Sequence, residues 1–193
     1  MATRHHDNAQ AASHSTPIAL RREPTPAASG IQVSSPRLDP EAPIPARYTD
    51  YGEGRSPALR WSEVGGARSY ALLVEDPDAP SAQPFVHWLA WNIPADTREL
   101  PDDIRADAAS QRPAGMREGR NDHGVIGWFG PRPPAGDPAH HYHFQVFALD
   151  VPKLDVDPGA KREEVLAAME GHVIAEGEIV GLYERPGPEK PLN

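Results

Sequence analysis

The most informative absences from this 193-residue chain are cysteine, long apolar runs and an excess of basic residues. Without cysteine the chain has neither a disulfide framework nor a thiolate nucleophile. Lys and Arg number 19 against 28 Asp and Glu, a formal charge of -9 that disfavours nucleic acid and anionic membranes, because both bind clustered cations. No stretch reads as a signal peptide or a membrane span, so the chain is predicted to be soluble and cytoplasmic.

Proline and glycine are abundant, with 23 and 16 copies, while long periodic segments are few. This composition predicts short strands joined by structured turns. The length suits one well-buried domain, which we expect to span residues 31–186. A disordered tail is predicted before it, at residues 1–30, because positions 18–20 form the only apolar cluster there; a second short tail is predicted at 187–193.

The chain is predicted to be organised around residues 69–80. Their first half is a nearly continuous apolar run, which is typical of a strand buried on both faces. Pro77 and Pro80 prevent that strand from continuing and hold Asp76 in extended geometry at its end. Most Asp-Pro pairs only cap turns, so the importance of Asp76 depends on the side chains that it meets.

A second apolar run, residues 85–93, contains a histidine. Because side chains alternate between the two faces of a strand, His87 is predicted to share one face with Leu89 and Trp91. A lone histidine in such a place is usually a satisfied core residue. His87 becomes a candidate binding residue only if other polar side chains point to the same end of the sheet.

A third apolar run, residues 140–149, supplies such side chains. Strand alternation places His140 and Tyr142 on the face that continues into the core, and His141 and His143 on the other face. One carboxylate, two imidazoles and one phenol are thus predicted to converge at one mouth.

Four motifs in a characteristic order carry a family resemblance. They are Asp-Pro-Asp-Ala-Pro at 76–80, His-Trp at 87–88, Gly-Pro-Arg-Pro-Pro at 130–134, and His-His-Tyr-His-Phe at 140–144 with Ala-Leu-Asp at 148–150. The sequence resembles the phosphatidylethanolamine-binding proteins, specifically the bacterial branch (YbhB/YbcL type) similar to Raf kinase inhibitor protein. Weaker matches extend the resemblance from about Val33 to Arg185.

The resemblance implies a mainly β fold, with a central antiparallel sheet packed against a smaller sheet and few peripheral helices. It also implies a small anion-binding pocket, matched in this sequence by Asp76, His87, His140 and Tyr142. The proline-rich loop is expected to form a rigid wall, so the predicted pocket wall comprises Pro80, Gly130, Pro131 and Pro133.

Two positions depart from the family pattern. His141 stands where the family usually has arginine, and Arg132 stands where bacterial relatives often have cysteine. The positive charge near the pocket mouth has therefore moved along the chain. We leave Arg132 out of the predicted site, because an arginine in a loop is more often simply solvated.

Ligand binding is the favoured chemistry for the four pocket residues. Protonated imidazoles and the Tyr142 hydroxyl donate hydrogen bonds to phosphate or carboxylate oxygens. Asp76 either orients an imidazole or accepts a hydrogen bond from a ligand ammonium group. A phosphoethanolamine head group carries both charges, so its phosphate suits the imidazoles and its ammonium suits Asp76. We predict a ligand-binding or regulatory protein without a cofactor or catalytic residues, and the resemblance implies a kinase or a protease as its protein partner.

An enzyme is the alternative interpretation. Two histidines and one carboxylate match a non-haem iron ligand set. A histidine with Asp76 as its orienter also matches the base of a hydrolase, although no serine lies in a Gly-x-Ser-x-Gly setting.

The remaining expectations concern segments around the pocket. Asp157 and Pro158 are typical of a helix start, with Val165, Leu166 and Met169 as the buried stripe. Residues 172–183 are predicted to form a final strand in which Gly177 and Gly181 indicate either a bulge or a close approach. The irregular segment 95–127 is either a lid over the pocket or an ordinary surface loop.

Overall fold

The computed structural model describes residues 18–19, 30–104 and 112–185. Most of both predicted tails therefore lies outside the described residues. Ile18 and Ala19 are exceptions, because both are buried and the Ala19 amide donates to the Glu75 carboxylate over 2.7 Å. At these two positions the structure differs from the predicted disordered tail: the pair fills an apolar site and satisfies a buried carboxylate.

The described residues form nine strands, one α-helix and a short 3₁₀ turn at Ala46–Tyr48. The strands are β1 Val33–Ser34, β2 Ala42–Pro43, β3 Leu59–Trp61, β4 Ser69–Asp76, β5 Phe85–Pro94, β6 Glu99–Leu100, β7 Arg117–Glu118, β8 His140–Leu149 and β9 Val173–Tyr183, and the helix is α1 Arg162–Met169. No helix among them is long and apolar enough to cross a membrane.

Two sheets organise these strands. The larger has the order β2-β9-β8-β4-β5-β7, and it is antiparallel except where the short β2 runs parallel to β9. The smaller has the antiparallel order β1-β3-β6. The predicted fold, a central antiparallel sheet packed with a smaller one, is confirmed.

The central strand β4 is buried along its whole length because both of its faces are covered. Leu72 and Val74 belong to the core cluster shared with the smaller sheet. Ala71 and Leu73 belong to a second cluster shared with α1. The nearly unbroken apolar sequence of this strand follows from its position between the two layers.

A β-bulge interrupts the pairing of β4 with β5 at His87. Val74 pairs with Trp88 and Glu75 pairs with Val86, so the residue between these partners has no counterpart on β4. A bulge of this kind bends a strand and changes the direction in which a side chain points.

The bulge reverses the predicted facing of His87. The imidazole contacts Tyr142, which belongs with Trp88 to the cluster beneath the smaller sheet. Leu89 and Trp91 pack in the other cluster, so the prediction that His87 shares their face is wrong. The prediction from simple strand alternation failed because β5 has one extra residue relative to β4 at the bulge.

The helix begins later than predicted. It starts at Arg162 after Lys161, whose amide donates to Glu164 at 2.9 Å. Asp157 instead closes a turn by accepting from the Ala160 amide, and Gly159 has a φ of 83°, which is incompatible with a right-handed helix. The predicted stripe is buried as expected, at Val165, Leu166 and Met169.

Strand β9 contains the close approach that its glycines predicted. A Cβ atom added to Gly177 would lie 1.9 Å from the carbonyl oxygen of Ile31. One added to Gly181 would lie 2.7 Å from Cγ1 of Ile44. Both contacts allow the N-terminal part of the domain to lie directly against this strand.

Candidate functional site

A cavity of about 340 Å³ opens at the end of the large sheet where β4 ends and where β5 and β8 begin. Because neighbouring strands are antiparallel, three side chains distant in sequence meet there, namely Asp76, His87 and His140. The other lining residues are Ala79, Pro80, Ser81, Phe85, Phe129, Arg132, Pro133 and Pro134.

Asp76 and His140 form a buried pair in this cavity. The Nδ1 atom of His140 lies 2.8 Å from Oδ2 of Asp76, and each residue is less than 5% exposed. Oδ1 of Asp76 accepts from the amides of Asp78 and Ala79. Burial raises the pKa of Asp76, although its hydrogen bond with His140 partly opposes that rise. The Asp-Pro turn thus fixes the carboxylate, which in turn fixes the imidazole.

His87 is held by a backbone carbonyl rather than by a carboxylate. Its Nδ1 lies 2.7 Å from the Phe129 oxygen, and its ring stacks on the Phe129 ring at a centroid distance of 5.8 Å. A carbonyl oxygen only accepts, so Nδ1 carries the proton. Burial lowers the pKa of His87 to about 4, against the opposing effect of the Phe129 hydrogen bond. Near neutral pH the remaining nitrogen, Nε2, is therefore an acceptor.

A neutral His87 differs from the protonated imidazole that the sequence analysis considered as a hydrogen-bond donor to an anion. The sequence places His87 among apolar residues but does not reveal that its Nδ1 faces the Phe129 carbonyl instead of a carboxylate. His140 has that partner in Asp76. The two histidines therefore differ in role despite their common position at a strand end.

Tyr142 lies beneath the cavity instead of lining it. Its side chain is fully buried, and the ring meets His87 edge-on at 5.1 Å. The hydroxyl makes no hydrogen bond of standard geometry with a described residue. Burial, followed by the charge of Asp76, raises the pKa of this phenol above its usual value. In this structure Tyr142 supports the two imidazoles from below.

Two of the four residues predicted to form the pocket wall line the cavity. Pro80 and Pro133 line the cavity, but Gly130 and Pro131 do not. Gly130 passes so close to residues 48–50 that an added Cβ would lie 2.6 Å from the Thr49 carbonyl carbon. The Pro131 oxygen accepts from the Asp50 amide. These two positions anchor the loop, and the residues after them form the wall.

Residues that sequence reasoning left out complete the cavity. Arg132 lines it and lies 3.2 Å from Asp50, so it is an ion-paired cation at the rim. Phe85 and Phe129 supply aromatic surface next to His87. Phe85 stands two residues before His87, and Arg132 stands within the Gly-Pro-x-Pro-Pro motif, so proximity to a motif was the available signal.

The other face of β8 is arranged as predicted. His141 pairs with Asp78 at 2.7 Å and His143 pairs with Glu178 at 2.8 Å, both away from the cavity. No described residue of the segment 95–127 lines the cavity, and residues 105–111 lie outside the described part. The described residues of that segment therefore do not act as a lid in this conformation.

Metal binding receives no geometric support. Across residues 18–19, 30–104 and 112–185, no group of three His, Cys, Asp or Glu side chains is arranged to hold an ion.

Comparisons with known proteins agree on one family. The family model described as phosphatidylethanolamine-binding protein matches residues 34–184. A UPF0098 protein of Pyrococcus abyssi is 50% identical over 143 residues, which are 74% of this chain and 79% of the relative. YbcL of Escherichia coli is 41% identical over 134 residues, 69% of this chain and 73% of that protein. LppC of Mycobacterium tuberculosis, which is named as a lipoprotein, is 35% identical over 161 residues, 83% and 76% of the two chains.

Solved structures give the same result. The crystal structure of Escherichia coli YbcL matches with a TM-score of 0.76 and 36% identity, covering 81% of this chain and 99% of YbcL. The homologue CT736 from Chlamydia trachomatis matches with a TM-score of 0.71 and 34% identity, covering 82% and 99%. Because one relative is named as a lipoprotein, the cytoplasmic location stays a prediction.

Proposed function

Because the chain belongs to the phosphatidylethanolamine-binding protein family, we propose that it is a ligand-binding or regulatory protein whose cavity takes a small phosphate-bearing anion such as a phosphoethanolamine head group. The observation that carries the proposal is the convergence of Asp76, His87 and His140 on one cavity from three strands. Its volume of about 340 Å³ lies within the range of small-molecule sites.

The hydrogen-bonding groups of the free site limit the kinds of ligand that it can bind. Near neutral pH the Asp76 carboxylate and Nε2 of His87 both accept hydrogen bonds. A fully ionised phosphate also only accepts, so it has nothing to offer these atoms. A ligand that bonds to these two atoms must bring a proton, as a phosphate monoanion or an ammonium does, or the site must take up a proton when the ligand binds.

Both routes make affinity depend on pH in the same direction. An anion beside His87 raises its pKa from about 4, so binding draws a proton from solution. A phosphate monoester itself loses its second proton with a pKa near 6. Affinity is therefore expected to fall as the pH rises through roughly 6 to 8.

The remaining lining suits a compact ligand with one charged end. Phe85 and Phe129 supply apolar surface, while Arg132 at the rim brings a cation held by Asp50. The prolines around them fix the backbone, which reduces the entropy lost when a ligand is ordered.

A binding role is favoured over hydrolysis. Ser81 is the hydroxyl residue of the cavity wall, and its Oγ donates to the carbonyl of Gln83 rather than to a histidine. A serine nucleophile needs a base within hydrogen-bonding reach. The family resemblance suggests a kinase or protease as the class of partner whose activity the liganded protein modulates.

The test is a titration of the full chain with phosphoethanolamine and with inorganic phosphate at pH 5.5 and pH 7.5, followed through the histidine ring NMR signals. His140→Ala and His87→Ala are expected to weaken binding at least fivefold, because each removes a ring nitrogen from the cavity. His141→Ala is the matched control, because it removes an imidazole from the same strand on the opposite face.

Two results would contradict the proposal. One is an equal response of all three variants, which would make the pocket residues a structural polar cluster. The other is an absence of binding by the wild-type chain at both pH values, with the chain shown to be folded by circular dichroism.

A further inference from the structure

A second recess of about 370 Å³ lies at the opposite end of β4 from the cavity just described. Its position follows from Arg68, which immediately precedes the strand, whereas Asp76 ends it. A strand of 8 residues places the two sites roughly 25 Å apart. The recess is lined by Arg68, Asn92, Pro94, Ala95, Ala114, Gly115, Arg117, Pro152 and Lys153.

The charge of this basic recess is unusual for so acidic a chain. Three of its lining residues are cations and none is a carboxylate. Several arginines elsewhere in the described residues pair with acids, as Arg60 does with Glu99 and Arg98 with Glu63. Among residues 18–19, 30–104 and 112–185, no carboxylate lies within 4 Å of the charged atoms of Arg68, Arg117 or Lys153.

The backbone around the recess is fixed by a second bulge of β5. Asn92 adopts a φ of 55°, and its buried side-chain amide bonds both to the amide and to the carbonyl of Leu154. This double contact holds the loop that carries Lys153 against the strand. The Arg68 amide donates to the Leu149 carbonyl over 2.7 Å, which fixes the start of β4.

Arg117 approaches from the third side, on β7. Its guanidinium donates to the carbonyls of Gly115 and Met116, so it is positioned by neutral acceptors. Three anchored segments thus bring to one concave surface three cations that have no carboxylate partner among the described residues. Their mutual repulsion is relieved when an anion binds between them.

We propose that the basic recess is a second anion site that takes a small molecule bearing a diphosphate group. Two guanidinium forks and one ammonium match an anion with several oxygens and more than two negative charges. A volume of about 370 Å³ accommodates such a group with a small substituent. Elsewhere the net charge of -9 repels such a ligand, which favours the recess.

The test uses the full chain and inorganic pyrophosphate at about 150 mM salt, where distant surface charges are largely screened. Backbone amide NMR signals of residues 68, 92–95, 115–117 and 153–154 are expected to shift. Arg68→Gln, Arg117→Gln and Lys153→Gln should each weaken binding about fivefold, as the loss of one exposed charge contact predicts. The double variant of Arg117 and Lys153 should lose more than tenfold.

Two controls separate this site from the first cavity. Arg60→Gln removes an exposed cation that is already paired with Glu99, so it should leave pyrophosphate binding unchanged. His140→Ala changes only the first cavity and should also leave it unchanged. The proposal is wrong if Arg60→Gln weakens binding as much as Arg117→Gln, if the shifts centre on His140, or if no amide of the recess responds to millimolar pyrophosphate.

Discussion

Lowering the pH from 7 to 4 is expected to destabilise the protein through His87. Burial depresses the pKa of this imidazole from 6.5 to about 4, so between these values the unfolded chain binds a proton that the folded chain does not. The stability associated with neutral His87 is therefore complete above pH 6.5 and is lost as the pH falls toward 4. A difference of about 2.5 pKa units corresponds to about 3 kcal/mol.

The measurement is urea unfolding of the wild type and His87→Gln at intervals from pH 4 to pH 7.5. Asp76, whose pKa burial raises, contributes in the opposite sense, but it is present in both proteins. Their difference in unfolding free energy should therefore change by about 3 kcal/mol across the range. His172→Gln, which alters an exposed pair with Asp150, serves as the control and should follow the wild type. A ring signal of His87 that titrates near pH 6.5 would refute the reasoning.

Two further predictions concern the interior. Glu75→Gln removes the buried carboxylate that faces Arg162, which keeps its contact with the more exposed Glu163, and should cost about 3 kcal/mol in urea unfolding. Glu99→Gln, in an exposed pair with Arg60, should cost under about 1 kcal/mol, and equal losses would contradict this difference. Gly177→Ala should cost at least about 1–3 kcal/mol, because the added methyl group meets the Ile31 carbonyl oxygen. An unchanged melting temperature would show that the two backbones separate easily.

The strands could be predicted from the sequence wherever the pattern of side chains was regular. β8 runs from His140 to Leu149 as predicted, and its inward and outward residues alternate without interruption through Ala148. β5 differs because a bulge at His87 depends on how it pairs with β4. The pairing register is a property of two strands together, so neither sequence alone contains it.

In the candidate site, too, the features set by local sequence were predicted, and those set by distant residues were missed. Asp76, His87 and His140 were predicted from motifs and do meet in one cavity. The depth of Tyr142 was missed, because strand alternation tells which face a residue occupies but not how far it lies from the opening. The neutral state of His87 was missed because it follows from burial of the imidazole, to which Phe129, 42 residues later in the chain, contributes its stacked ring.

The helix start illustrates a competing local signal. Asp157 and Pro158 resemble an N-terminal cap, and the chain does turn there, but the turn closes on Ala160 and the helix begins only at Arg162. Turns and helix starts favour the same residues, since both need a side chain or carbonyl to satisfy free amides.

The most direct test of the binding role is a crystal structure of the full chain grown with phosphoethanolamine at about pH 5.5. The phosphate group is expected in the first cavity, with oxygens within about 3 Å of Nε2 of His87 and Nε2 of His140. The ammonium group should point toward Asp76 or Asp137, the acidic residues nearest to His140. An empty cavity at saturating ligand, or a ligand bound elsewhere on the surface, would contradict the proposed function.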